Sequence, residues 1–428
     1  MRKTSLVLLG AAVGAALTMV ATQPVLVGSD ADAKTVTKPD VYRLLNLFSD
    51  AFEQVRSHYV ERPNDTALVQ TAVNGMLAGL EDSYFVDPQA LNRVDACTGP
   101  RCATAFGNIG VAYTMQDGLA TVVTPIDDTP AAKAGIMTGD IIARVDDEQL
   151  QDLTYQQFGT KLVGDVGSTV KLTIVRPGSD KPIELSVARD NPTRRSVRDR
   201  GEGGDIGYIR IIQFNEATGD ELKKAIDDIA AQIPAEKLKG YVIDLRNNPG
   251  GTLDAAIAAA DGFLADGEIV SIRHRSSDKV ERFRAKAGDL ANGKPIVVLI
   301  NGGSAATAEV VAGALKDNHR ATVVGTRSFG EGWDSTLVSL GPNKGALRLA
   351  TGHYITPSGR LIQSNGIVPD VEAPQDVPDA LKVKAAAKPT GKDQPVLQSY
   401  IPPDPAADKA LTAAYALLRK NVADAHAH

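Results

Sequence analysis

From residue 206 to about residue 371, short apolar runs alternate with stretches of helical periodicity, and that alternation leaves few folds open. The runs at 206–212, 241–245, 296–300 and 321–324 are mostly Ile, Val, Leu and Tyr. Near-continuous apolar runs of this length suit strands buried on both faces. Helical patterns at 220–232, 253–264 and 305–316 lie between them. Strand and helix in turn imply parallel strands joined by crossovers, so the expected fold class is α/β for this core, within a mixed α+β chain of several domains. The stretch 345–354 and the turn Thr356-Pro357-Ser358-Gly359-Arg360 close the core, which is assigned residues 205–375.

The rest of the 428 residues leaves room for about two more domains. Residues 34–96 read as helices, because Leu44, Leu45, Leu47, Phe48, Phe52 and Val55 recur near a helical period. A second helix is expected over 67–80. In 105–190, Gly107-Asn108-Ile109-Gly110-Val111 is followed by Thr129-Pro130-Ala131-Ala132-Lys133-Ala134-Gly135 and Gly139-Asp140-Ile141-Ile142. With a strand at 170–176, these stretches resemble a PDZ domain. The resemblance implies peptide binding at Asn108, Ile109, Gly110 and Val111, whose amides would hold a terminal carboxylate while the tail adds a strand to a sheet edge. A helix at 154–162 would line that groove. Residues 192–204, rich in Arg and Gly, read as a linker, and 376–428 as a second linker and a C-terminal helix over 406–422. A net charge of −6 argues against a nucleic-acid binder.

Three further stretches carry chemistry. Asp244-Leu245-Arg246-Asn247-Asn248-Pro249-Gly250-Gly251 follows an apolar run; residues 301–309 read Asn-Gly-Gly-Ser-Ala-Ala-Thr-Ala-Glu; residues 328–332 read Ser-Phe-Gly-Glu-Gly. With Gly366-Ile367-Val368-Pro369-Asp370, they resemble the motifs of the carboxyl-terminal processing, or tail-specific, serine protease family, over roughly residues 40–375. That family cuts with a serine–lysine dyad. The resemblance puts the nucleophile position at Ala306 and the base position at Glu331, 25 residues apart as in the family. It puts the residue that orients the base at Ser335, an aspartate that follows the catalytic helix at Asp317, and the oxyanion amides at Gly251 and Thr307. Alanine has no heteroatom to form an acyl-enzyme, and a glutamate there has no serine to activate. Ser304 is expected to cap the helix that follows it.

The resemblance and these departures from it support three readings. One is a proteolytically inactive member that recognises C-terminal tails of unstructured or exported proteins, alone or beside an active paralogous protease. The second is a serine-type endopeptidase with a relocated nucleophile, and the third a structural envelope scaffold. The family uses a helical N-terminal segment in dimerisation, so a homodimer is expected. Arg2 and Lys3, the apolar run 6–20 and Ala31-Asp32-Ala33 read as an export signal or membrane anchor over residues 1–33, which places the protein in the periplasm, soluble or held at the inner membrane. Cys97 and Cys102 flank Gly99-Pro100, and in an oxidising space a local disulfide is expected. No cluster of metal ligands and no cofactor fingerprint is present in the sequence, so neither metal nor cofactor is expected.

Overall fold

The computed structural model describes residues 38–88, 91, 107–116, 119–150, 153, 155–177, 179, 181–190, 195–275, 280–286, 288–378 and 399–425. The expected export segment 1–33 and the cysteines Cys97 and Cys102 lie outside the described residues, as does most of the expected C-terminal linker. The chain divides into two compact units, residues 1–69 and 70–428. The first contains helix α1, Lys38–His58, whose Arg56 pairs with Asp65 at 3.0 Å. Helix α2 runs Asp65–Leu77. Among the described residues no helix is long and apolar enough to cross a membrane.

In the second unit the chain continues into strand β1, Tyr84–Val86. A helical reading of 34–96 therefore ends too late: Tyr-Phe-Val is short and β-prone, and it pairs with a strand more than 250 residues on. The next module is a small sheet of β2 (Val111–Gln116), β3 (Leu119–Pro125), β4 (Ile141–Val145), β5 (Glu148–Gln149), β6 (Thr169–Val175) and β7 (Ile183–Ala188). Helices α3 (Pro130–Lys133) and α4 (Tyr155–Leu162) belong with it. The strand order β2-β3-β4-β6-β7 leaves β2 at an edge. Ile109, Val122, Ile142, Leu150, Phe158, Val170, Leu172 and Ile174 form its core.

The larger module begins with β8 (Val197–Glu202), which pairs antiparallel with β9 (Ile206–Ile211). The linker reading of 192–204 fails there. Its charged residues alternate across an edge strand, with Val197 buried, and an edge strand with one wet face tolerates arginines. Then follow α5 (Thr218–Gln232), β10 (Gly240–Asp244), α6 (Leu253–Asp261), β11 (Glu268–His274), β12 (Val280–Arg284), β13 (Ile296–Ile300), α7 (Thr307–Asp317) and β14 (Ala321–Gly325). The chain ends with β15 (Trp333–Ser339), β16 (Ala346–Ile355), β17 (Val371–Glu372) and α8 (Lys409–Ala425). One sheet has the order β17-β14-β13-β10-β9-β8, parallel except for β8.

The two faces of this sheet explain its sequence. Ile209, Ile211, Ile243, Leu245, Val298 and Ile300 point to one core, which also holds α5, α6 and α7. Residues of the opposite parity, Tyr208, Val242, Val297 and Leu299, point to a second core closed by Leu411, Ala414 and Leu418 of α8. Period-two alternation thus yields continuous apolar runs, because both faces are covered. Each fully buried Ile, Val or Leu contributes roughly 1.5–3 kcal/mol. The second sheet of the larger module, β1-β16-β11-β12 with β15 on β16, packs against α7 through β11. Helix α7 is sandwiched there, and Thr307 through Leu315 are all buried.

Candidate functional site

The site forms where β10 and β13 end, at the start of α6 and α7, as open α/β sheets tend to arrange. After Asp244 the chain turns through Asn248, whose side chain donates to the Ile211 carbonyl at 2.9 Å and accepts from the Gly250 amide at 2.8 Å. Phe214 brackets the glycines, its amide donating to Gly250 and its carbonyl accepting from Thr252. A Cβ on Gly251, at φ +147, would lie 1.9 Å from the Phe214 carbonyl oxygen, so only glycine fits.

Across from it, the Asn301–Ser304 loop leads into α7. Ser304 is fully buried; its hydroxyl donates to the Leu245 carbonyl at 2.8 Å and accepts from the Asn301 amide at 3.0 Å. It therefore ties two loops together and does not cap α7. The N-cap is Ala306, at φ 49 and ψ −121, a conformation that costs a non-glycine residue about 1–3 kcal/mol. Ala306 and the Thr307 amide sit against Gly250: a Cβ placed on that glycine would meet both at 2.9 Å. Among the described residues neither the Gly251 amide nor the Thr307 amide has an acceptor. Two amides without acceptors, a strained residue at a helix start and no nucleophile on that residue make up the surroundings of Ala306.

The loop that carries Glu331 is held by Glu309 on the first turn of α7. Glu309 is fully buried, and its carboxylate accepts from the Ser328 hydroxyl and, at 2.8 Å each, from the Gly330 and Glu331 amides. Burial pushes it up to about 8 in spite of these three donors, with the Glu331 charge adding to the rise. Glu331 itself is partly buried, and among the described residues its carboxylate takes no hydrogen bond. Burial first, then Asp82, raise it to about 7 against the pull of Arg348. Asp82 pairs with Arg348 at 3.4 Å and accepts from the Ser335 hydroxyl.

A pH dependence follows. Between about 4.5 and 7 folded Glu331 keeps a proton that the unfolded chain has released, so stability falls as pH rises through that window. Glu331→Gln removes the part of the fall that belongs to Glu331 and leaves that of Glu309, whose carboxyl is also raised. The variant is expected to be more stable than wild type by up to about 3 kcal/mol at pH 8.5 and equal to it at pH 4. Urea melts at the two pH values check this, and an equal gain at both would show that the ionisation is not the cause.

The structure thus brings Ala306, Thr307 and Gly251 together, ties Ser335 to the Asp82 that acts on Glu331, and leaves Asp317 elsewhere. Asp317 lies at the far end of α7, ten residues and about 15 Å along the helix, where it accepts from the Ser358 amide at 3.0 Å and pairs with Arg360 at 3.2 Å. It caps the closing turn, and no contact takes it to the nucleophile position. Ser335, on β15, binds Asp82. Glu309 and Asp82 were missed as site residues. A lone acid in the otherwise apolar run Ala308–Leu315 was a readable signal for Glu309, whereas Asp82 had none. In the smaller module, Asn108 accepts from the Gly110 amide at 2.8 Å, Ile109 is buried in that module's core, and Val111 begins β2. The Ile109 amide has no acceptor among the described residues.

Comparison with known proteins agrees with this architecture. A model of peptidase family S41 matches residues 205–373 and one of the PDZ domain matches residues 107–187. A carboxy-terminal-processing protease of Bartonella bacilliformis is 45% identical over 407 residues, covering 91% of this chain and 92% of its own. A carboxy-terminal processing protease of Bacillus subtilis is 31% identical over 336 residues, covering 78% of this chain and 69% of its own. The solved photosystem II D1 C-terminal processing protease is similar with a TM-score of 0.63 at 26% identity, over 76% of this chain and 92% of that one. The fold and the matched models define a PDZ-bearing member of peptidase family S41. Within that class the chain belongs to the carboxy-terminal processing proteases.

Proposed function

We propose that this chain is a non-cleaving member of its family: an exported protein that binds the C-terminal tails of unstructured or exported proteins through its PDZ module. One observation carries the reading. The position expected for the nucleophile holds Ala306, a residue in strained backbone geometry with nothing to attack a carbonyl, beside Gly250 and two amides, Gly251 and Thr307, that have no acceptor among the described residues. The relatives' names supply the substrate class, since they process carboxy termini. A relocated nucleophile is disfavoured because Ser304 is buried with its hydroxyl committed to Leu245. A pure scaffold would have no need of the free edge of β2 or the open Ile109 amide. The protein is placed in the periplasm, released or held by residues 1–33, as a homodimer or beside an active paralogous protease to which it presents tails.

The test uses the purified full chain. It is expected to leave casein intact overnight, to remain unlabelled by a fluorophosphonate serine probe, and to bind labelled decapeptides with free C-termini. Amidation of the peptide terminus is expected to weaken binding tenfold or more, because the loop amides then lose their carboxylate. Labelling of Ser304 or any other serine, with casein cleavage, would overturn the reading.

A further inference from the structure

The face of the PDZ module that would receive a tail is already occupied by one of its own side chains. The gap between the edge strand β2 and α4 opens on a cavity of about 620 Å³, whose third wall is the α2–β1 segment with Leu77, Leu80 and Tyr84. Tyr113, the third residue of β2, lies across this gap. Its ring stacks on Tyr155 at 4.5 Å and meets Phe158 edge-on, also at 4.5 Å. Its hydroxyl donates to the Tyr155 carbonyl at 3.0 Å. Gly159 makes the seat: a Cβ there would lie 2.6 Å from the Tyr113 hydroxyl oxygen. Tyr155 is fixed from its other side by Tyr84, stacked at 4.4 Å.

We infer that Tyr113 is an internal occupant of the tail groove and decides which tails bind there. The inference rests on the tail-binding reading and deepens it. A strand added to the edge of β2 directs alternate side chains toward α4. With the phenol seated, the aromatic slot between Tyr155, Phe158 and Gly159 is full. Tails with a small last side chain then fit over the ring, and tails ending in an aromatic residue fit only when Tyr113 swings out and gives up the stack and the hydroxyl bond. The emptied slot has the shape and the acceptor to take a ring from the tail instead.

Fluorescence anisotropy on the full chain, with decapeptides that differ only in a last residue of Ala or Phe, tests this. Wild type is expected to favour the Ala-ended peptide by at least tenfold. Tyr113→Ala is expected to bind the Phe-ended peptide at least tenfold more tightly than wild type does and to lose the preference for the Ala-ended one. Gly159→Ala, which pushes the hydroxyl from its seat without removing the ring, is expected to shift preference in the same direction and stands in if Tyr113→Ala fails to fold. Tight binding by all forms with an unchanged preference overturns the role of Tyr113 alone. Absence of tail binding in wild type and both variants overturns the tail-binding reading and this inference with it.

Discussion

Ala306→Ser combined with Glu331→Lys is expected to turn a silent protein into one that cuts casein and unstructured tails, at a rate on the order of 10³-fold or more above wild type. The size follows from what is missing and what is kept. Removing the nucleophile and base of a serine peptidase costs about 10⁶ in rate, while an oxyanion hole and binding alone retain 10³ to 10⁴ over water. The Gly251 and Thr307 amides have no acceptor among the described residues, and Ala306 already holds the strained conformation at the head of α7. Serine adds one oxygen to an existing Cβ. The lysine is the harder half, since it must be neutral to accept a proton. Burial and Arg348 would lower its pKa, but Asp82 would raise it, as the charges around Glu331 indicate. The double variant is therefore expected to work best at alkaline pH, and adding Asp82→Asn to move the optimum toward neutral. Ala306→Ser alone is expected to stay at least about 10² below the double, because Glu331 shares Asp82's negative field and has no fixed hydrogen bond to aim it. Casein hydrolysis from pH 6 to 10 reads all of this. Restored variants as silent as wild type would mean that more than the dyad has been lost.

How much of this was legible in the sequence depends on how far apart the contributing residues lie. The parallel strands announced themselves because both faces are covered, so every position in Ile296–Ile300 had to be apolar. Ala306 and Glu331 could be placed from motif and spacing, since a helix start and a glycine-bracketed loop are local signals. β8 was hidden because arginines on the exposed side of an edge strand read like a linker. The environment of Glu331 was hidden for a different reason. Asp82 and Arg348 reach it from strands and loops 249 and 17 residues away in sequence, and no local pattern encodes a charge arriving across a sheet. Ser304 was misjudged on a rule that is right on average. A serine just ahead of a helix usually caps it, but here the buried hydroxyl of Ser304 binds the Leu245 carbonyl and the Asn301 amide.

Asp244→Ala is expected to cost about 3–5 kcal/mol, the usual loss when one partner leaves a buried ionic cluster. Asp244 ends β10 almost without exposure and accepts from Arg210 at 2.7 Å, Arg246 at 2.6 Å and the Tyr208 hydroxyl at 2.7 Å. Burial alone would raise its pKa, but the two guanidinium groups more than reverse that and hold the carboxyl well below the usual range. Each arginine then reaches outward. Arg246 pairs with Asp408 at the start of α8, at 2.7 Å, and Arg210 with Asp127 of the PDZ module. One carboxylate thus joins the strand that leads to Gly251, the helix that covers the second face of the sheet, and the PDZ module. Its loss leaves two buried cations with one partner each. Denaturant melts give the size. A loss under 1 kcal/mol would show that Asp408 and Asp127 suffice by themselves. A double-mutant cycle with Asp408→Ala separates the cases, since a shared cluster requires a coupling of about 1 kcal/mol or more between two residues that touch the same guanidinium. Because the turn after Asp244 also carries the Gly251 amide, the proposed oxyanion donor, the same substitution in the Ala306→Ser/Glu331→Lys background is expected to lower cleavage further than the unfolded fraction accounts for.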